Sequence, residues 1–204
     1  MATRIVVLLS GNGSTLENLF EKIEKAELSA EIVAVLSSRD GVFGLERARK
    51  RNVAAVAVVP KTFPDHAAYN AAMWDEIRKH KPDLVVMGGF MTLLTVPDDF
   101  FGRIMNVHPS LVPAFCGKGM YGHRVHEAVI EYGVRVSGVT VHFVDNEYDH
   151  GPIILQEAVP IFESDSPESL EQRVQVRERE LYPRAIQLFA TGRLKLQGRH
   201  VRIS

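Results

Sequence analysis

The chain has 204 residues, enough for one domain with a full hydrophobic core and short for two. Charged residues make up 24% of it and the formal net charge is −1, which argues against broad non-specific nucleic-acid binding. The lone cysteine, Cys116, excludes an intrachain disulfide, and the apolar run before Ser10 is too short for a signal segment or a membrane span. A soluble cytoplasmic protein with no membrane partner is therefore expected.

In chain order, short β-branched runs alternate with helical patterns, the signature of βαβ units. "RIVVLLS" (residues 4–10) reads as a doubly covered parallel strand. After "GNGS" a helix follows, with Leu16, Leu19, Phe20 and Ile23 on one face; Ser14 and Glu17 have the spacing of a capping box. Strands are expected at 31–38, 53–59 and 83–90, with helices around "FGLERARKRN" and "HAAYNAAMWDEIRKH". "RIMNV" is a short strand and "VHEAVIEYG" a helix, while "VSGVTVHFVD" and "PIILQEAVPI" can form an antiparallel excursion on an otherwise parallel sheet. A long helix opens with Ser166 as N-cap and Pro167 at its first position and ends at Gly192, before a terminal hairpin in "RLKLQGRHVRIS". With no linker or repeat, residues 1–204 read as a single α/β domain.

The turn "SGNGST" lies between the first strand and the first helix. It lacks the third glycine of the dinucleotide fingerprint, where Leu16 stands, and the Lys-Ser/Thr of a nucleotide P-loop. A single phosphate monoester on the N–H groups and hydroxyls of Gly13, Ser14 and Thr15 fits better. A tight βα turn with a capped helix is the structural alternative.

"RIMNVHPSLVPAF" ends a strand with two polar side chains one residue apart. Asn106 and His108 point the same way in an extended chain, and Pro109, lacking an N–H, stops the pairing. An amide and a protonated imidazole aimed at one point make an oxyanion-stabilising pair, and the carboxyl ends of strands are where open α/β sheets bind ligands. A carboxylate would hold His108 charged by raising its pKa above roughly 6.5. Asp149 is the candidate, with Asp145 and Glu147 as rivals. His108, His123, His126, His142 and His150 have no zinc-motif spacing, so no metal is expected. His123 and His126 read as a helix start and its exposed face, Cys116 as a loop residue, and "GKGMYG" as a loop that closes over substrate. Arg177, Glu178, Arg179 and Glu180 read as a solvated helix face, although Gln175 and Glu178, three apart, can reach one polar ligand.

Together "VVLLSGNGS", "FGLERAR", "GGFM", "NVHPSLVPAF", "GVTVHFVDNEYDHGPIILQ" and "RVQVRERELYP" resemble the folate-dependent glycinamide ribonucleotide formyltransferases of purine synthesis, in family order and over nearly the whole chain. The resemblance implies a Rossmann-like, mostly parallel sheet flanked by helices, and formyl transfer from 10-formyltetrahydrofolate, as co-substrate, to the amine of glycinamide ribonucleotide. It assigns the catalytic triad to Asn106, His108 and Asp149, the phosphate loop to Gly13, Ser14 and Thr15, and substrate contacts to Gln175 and Glu178. The folate pocket falls on Phe90, Met91, Thr92 and Leu94 and on the loop from Val144 to Asp149. Thr92, where the family often has arginine, Cys116, where many relatives have proline, and His150, where small residues are common, depart from the pattern. Nucleic acid is not an expected partner, and a homodimer is left open.

Related chemistries share the triad. A formyltetrahydrofolate hydrolase is expected to carry an extra N-terminal domain, a methionyl-tRNA formyltransferase a C-terminal one, and a sugar-nucleotide formyltransferase a nucleotide pocket that "SGNGST" does not suggest. A non-catalytic phosphometabolite binder would have no use for an oxyanion site.

Overall fold

A computed structural model describes residues 2–204. The sheet order is β3-β2-β1-β4-β5-β6-β7, with a separate two-stranded sheet, β8-β9. The chain divides into two compact units, one up to Met105 and one from Asn106.

The first unit contains β1 (Thr3–Leu9), α1 (Ser14–Glu24), β2 (Ala30–Ser37), α2 (Phe43–Lys50), β3 (Ala54–Ala57), α3 (His66–Lys79) and β4 (Leu84–Met87). β1 pairs in parallel with β2 on one side and β4 on the other, and β2 with β3. Ile5, Val6, Val7 and Leu8 are fully buried, which is why β1 reads as an unbroken apolar run rather than an alternating one. The strand order reverses at β1, so the carboxyl ends of β1 and β4 form the switch point where such sheets bind ligands. β3 is shorter than its apolar pattern, and β4 stops at Met87 because the chain turns through Gly88 and Gly89, the latter at φ 70°.

The expected capping box is not formed. Gly13, in the left-handed conformation, is the N-cap of α1, Ser14 is already helical, and no side chain caps the helix. Glu17 turns instead to α2, accepting from Arg47 and Arg51 at 2.5 Å each. A bidentate pull from two guanidiniums outcompetes one backbone N–H.

The second unit contains the polar end of β5 (Ile104–His108), then α4 (His123–Tyr132), β6 (Val136–Phe143), β7 (Ile153–Pro160), α5 (Pro167–Ala190), β8 (Leu194–Gln197) and β9 (His200–Ile203). β6 and β7 are antiparallel, with a register shift beside His142, and the terminal hairpin forms as expected. α5 opens with Ser166 as N-cap and Pro167 at its first position; Ser169 completes the capping box. Its apolar face buries Leu170, Val174, Leu181, Tyr182, Ala185, Ile186 and Leu188. The Val112–Pro113 peptide is cis.

Candidate active site

At the end of β5, Asn106 and His108 converge on Asp149. His108 is 3% exposed, and its Nε2–H donates to the Phe115 carbonyl at 2.9 Å. That bond fixes the tautomer and leaves Nδ1 facing Asp149 Oδ2 at 3.4 Å. Asp149 sits on a left-handed backbone, φ 52°. Its Oδ2 accepts from the Gly117 N–H at 2.9 Å and its Oδ1 from the Asn106 amide at 3.3 Å. The rivals are engaged elsewhere or outside this contact: Asp145 accepts from the Glu147 N–H and faces His150, and Glu147 is exposed.

A fourth group completes the cluster. The buried His142 donates from Nδ1 to the Phe143 carbonyl at 2.8 Å, which turns Nε2 toward Asp149 Oδ1, 3.7 Å away, and Asn106 Nδ2, 3.4 Å away. Sequence reading considered His142 only as a metal ligand. The signal was its place near the end of β6, just before the loop that carries Asp149.

The electrostatics correct one expectation. Burial pulls the His108 pKa below the ordinary imidazole value; the Asp149 charge and the Phe115 carbonyl push it up without prevailing, and His142 adds to the lowering. The net direction of the His108 pKa is thus downward rather than upward as expected, while Nδ1 faces the Asp149 carboxylate, where a proton on the ring would be shared with it. Burial also pushes the Asp149 carboxyl upward, but His142, His108 and the Gly117 N–H together hold it below the usual range, so it is ionised. Burial and the Asp149 charge raise the Cys116 thiol, which donates to the Pro113 carbonyl, so Cys116 is a protonated loop residue.

A hydroxyl on β6 holds the segment after His108 in place. Thr140 Oγ1 donates to the Ser110 carbonyl at 2.7 Å and accepts from the Val112 N–H at 3.1 Å and Gln156 Nε2 at 3.0 Å. Its one donor and two acceptor positions are all used. Gln156 also donates to the Val112 carbonyl. Gly151 sits where a Cβ would fall 1.8 Å from the Phe143 carbonyl oxygen, so only glycine lets the Asp149 loop close onto β6.

Of the remaining site candidates, Gly13 and Ser14 open α1, and Thr15 lies against Gly88, where an added Cβ would stand 3.0 Å from Thr15 Cβ. Phe90, Thr92 and Val144 are half-buried and Met91 is exposed, whereas Leu94, 1% exposed, belongs to the core. The segment after β4 is tied to α3: Asn70 accepts from the Thr95 N–H, Trp74 donates to the Thr95 carbonyl, and His66 Nε2 meets the Leu93 carbonyl. Gln175 is exposed and donates to Glu171, and Glu178 is half-buried. His126 is 1% exposed, not on an outer face as expected, because Val125 and Val129 carry its side of α4 into the core. His123 opens α4 and meets Glu171 at 2.7 Å. The 117–122 loop has positive φ at Gly117, Gly119 and Gly122. Among the described residues no group of three or more His, Cys, Asp or Glu is arranged to hold a metal, and no helix is long and apolar enough to cross a membrane.

The model of the formyl transferase family matches residues 3–186, and the chain belongs to that family. It is 40% identical over 194 residues to a phosphoribosylglycinamide formyltransferase of Escherichia coli, covering 94% of this chain and 89% of that protein. It is 39% identical to a trifunctional purine biosynthetic protein of Chironomus tentans, of which it spans only 14%. The crystal structure of glycinamide ribonucleotide transformylase 1 from Symbiobacterium toebii superimposes with a TM-score of 0.92 at 41% identity, over 99% of this chain and 94% of that one.

Proposed function

We propose that this chain transfers a formyl group from 10-formyltetrahydrofolate to the amine of glycinamide ribonucleotide, giving formylglycinamide ribonucleotide and tetrahydrofolate in de novo purine biosynthesis. Its similarity over nearly its full length to formyltransferases of that name supports the reaction. The observation that carries the mechanism is the convergence of Asn106 and His108 on an ionised Asp149.

The substrate amine attacks the formyl carbon, and the C=O electron pair becomes an oxyanion while the attacking nitrogen becomes positive. The Asn106 amide donates to that oxyanion; its contacts with Asp149 and His142, at 3.3 and 3.4 Å, are long enough to be exchanged for a stronger one. The nitrogen's proton passes to His108 Nδ1, directly or through a water, giving an imidazolium beside the Asp149 carboxylate. The same proton then goes to N10 of the folate as the C–N bond breaks, and His108 returns to neutral. Asp149 stabilises the imidazolium that forms when His108 takes that proton.

Gly13, Ser14 and Thr15 hold the substrate phosphate in this reading, Gln175 and Glu178 contact the rest of the ribonucleotide, and Phe90, Met91, Thr92 and the 144–149 loop receive the folate. Leu94 supports that pocket from the core. The chain acts as one formyltransferase domain, and its unpaired cysteine suits a reducing cytoplasm. The test is absorbance-followed loss of the formyl group from 10-formyltetrahydrofolate with and without glycinamide ribonucleotide. Turnover that requires the amine is expected; equal turnover without it would mean that water is the acceptor, and none in either case would leave only a binding role.

A further inference from the structure

We propose that the C-terminal hairpin positions the Asp149 carboxylate, with Arg199 at the hairpin tip acting through His150; this rests on the reading of Asp149 given above. Gln197 pairs with His200, so Gly198 and Arg199 form a two-residue turn, Gly198 at φ 58°. Arg199 reaches the residue next to Asp149 with both arms of its guanidinium. Nη2 donates to the His150 carbonyl at 2.7 Å, and Nη1 lies against the imidazole, 3.1 Å from Nε2 and 3.4 Å from Nδ1. Nδ1 is also 2.8 Å from Asp145 Oδ2. Nδ1–H donates to Asp145, and the guanidinium packs against the imidazole that this bond orients. Asp145 in turn accepts from the Glu147 N–H at 3.0 Å, so a continuous chain of bonds runs from the hairpin tip to the loop that leaves β6.

The loop needs such a tie. Asp149 has a left-handed backbone that L side chains adopt only where the surroundings impose it. On one side the closeness of Gly151 to Phe143 and the Phe143 N–H to Pro152 carbonyl bond at 2.9 Å fix the return into β7. On the other side Asn146, Glu147 and Tyr148 are exposed. His150 follows Asp149 directly, and its backbone carbonyl and ring are both held. Arg199 supplies a two-pronged hold on a loop that must present its carboxylate oxygens to Asn106 and His108 at fixed distances. Arg199 touches no reacting group; it is a positioning residue.

The test compares steady-state kinetics of the full-length chain with Arg199→Ala, Arg199→Lys, His150→Ala, the Arg199→Ala/His150→Ala double variant and Asp149→Asn. A displaced catalytic group costs turnover, so Arg199→Ala should lower kcat on the order of tenfold and leave both KM values within about twofold, with an unchanged melting profile for this exposed residue. Arg199→Lys keeps the charge but cannot bridge ring and carbonyl together, and should behave like alanine. The double variant should fall no further than Arg199→Ala, because both act through one link. Wild-type kcat in Arg199→Ala, with Asp149→Asn inactive, would overturn the positioning role alone. Wild-type kcat in Arg199→Lys would replace it with a mere effect of charge. Turnover surviving in Asp149→Asn would remove the reading beneath it.

Discussion

The end of β1 and the end of β5 are built from different materials. At β1 the turn through Gly11 and Gly13 is held by the main chain: the Ser10 N–H donates to the Gly89 carbonyl, the Gly44 N–H to the Gly11 carbonyl, and Arg47 Nε to the Asn12 carbonyl. A Cβ on Gly13 would stand 2.8 Å from Gly44 Cα. At β5 the site is made of side chains, an amide and two imidazoles that each come within 3.7 Å of one carboxylate, each held by a backbone partner or a neighbour. A site of backbone N–H groups offers no titrating group and fails through volume. A site of imidazoles and carboxylate can move protons, and it fails through charge and hydrogen bonding. The proposed reading gives the first kind the substrate phosphate and the second the chemistry.

The largest effects should come from the side-chain site. Asn106→Ala and His108→Ala should each cost on the order of 10²–10³ in kcat, read by steady-state assay of folded protein, because in the proposed mechanism each removes a group that acts on the forming tetrahedral centre. Near-wild-type turnover in both would break the assignment. At the backbone site Gly13→Ala should act mainly through shape. Its left-handed backbone and the contact with Gly44 together make a destabilisation of about 1–3 kcal/mol, visible as a lower denaturation midpoint. KM for the phosphorylated substrate should rise more than kcat falls. The reverse pattern would place Gly13 with the chemistry rather than with anchoring.

A milder disturbance tests the scaffold shared by neither set. Thr140→Val keeps the volume but leaves the Ser110 carbonyl, the Val112 N–H and Gln156 without their common partner, at a cost of about 1–3 kcal/mol. Denaturant unfolding measures it, and an unchanged midpoint would show that the segment after His108 does not depend on this hydroxyl.

The smallest effect is the pH dependence of stability. His108 and His126 are both lowered by burial, so between their folded pKa values and roughly 6.5 the unfolded chain binds protons that the folded chain does not. Their contribution is complete above that value and is lost as pH falls. Asp149 and Asp165, both lowered, add a second loss as pH falls below about 4. His123 has the opposite sign: Glu171 raises it, so its contribution is present below roughly 6.5 and fades as pH rises through its raised pKa. Melting temperature against pH should therefore drop on the acid side of neutrality, and His126→Leu should flatten that drop. The acid limb of kcat should likewise lie below the ordinary imidazole range, since the proposed mechanism has His108 accept a proton and burial lowers its pKa.

Much of this protein follows from local pattern. The alternation of strands and helices, the buried apolar run of β1, the Ser166-Pro167 helix start, the terminal hairpin and the same-side pair Asn106/His108 all depend on the pattern of side chains along one element, and that pattern is written in consecutive residues. Tertiary structure decided the rest. Glu17 has the right spacing for a capping box, yet two arginines of α2, some thirty positions away, take its carboxylate. Asp145, Glu147 and Asp149 are equivalent as acidic loop residues, and only the folding of residues 144–152 onto β6 brings Asp149 to His108. His142 enters the site through that same closure. The charge on His108 could not be read from its neighbours in sequence because desolvation is set by everything packed around the ring, and here it outweighs the carboxylate beside it.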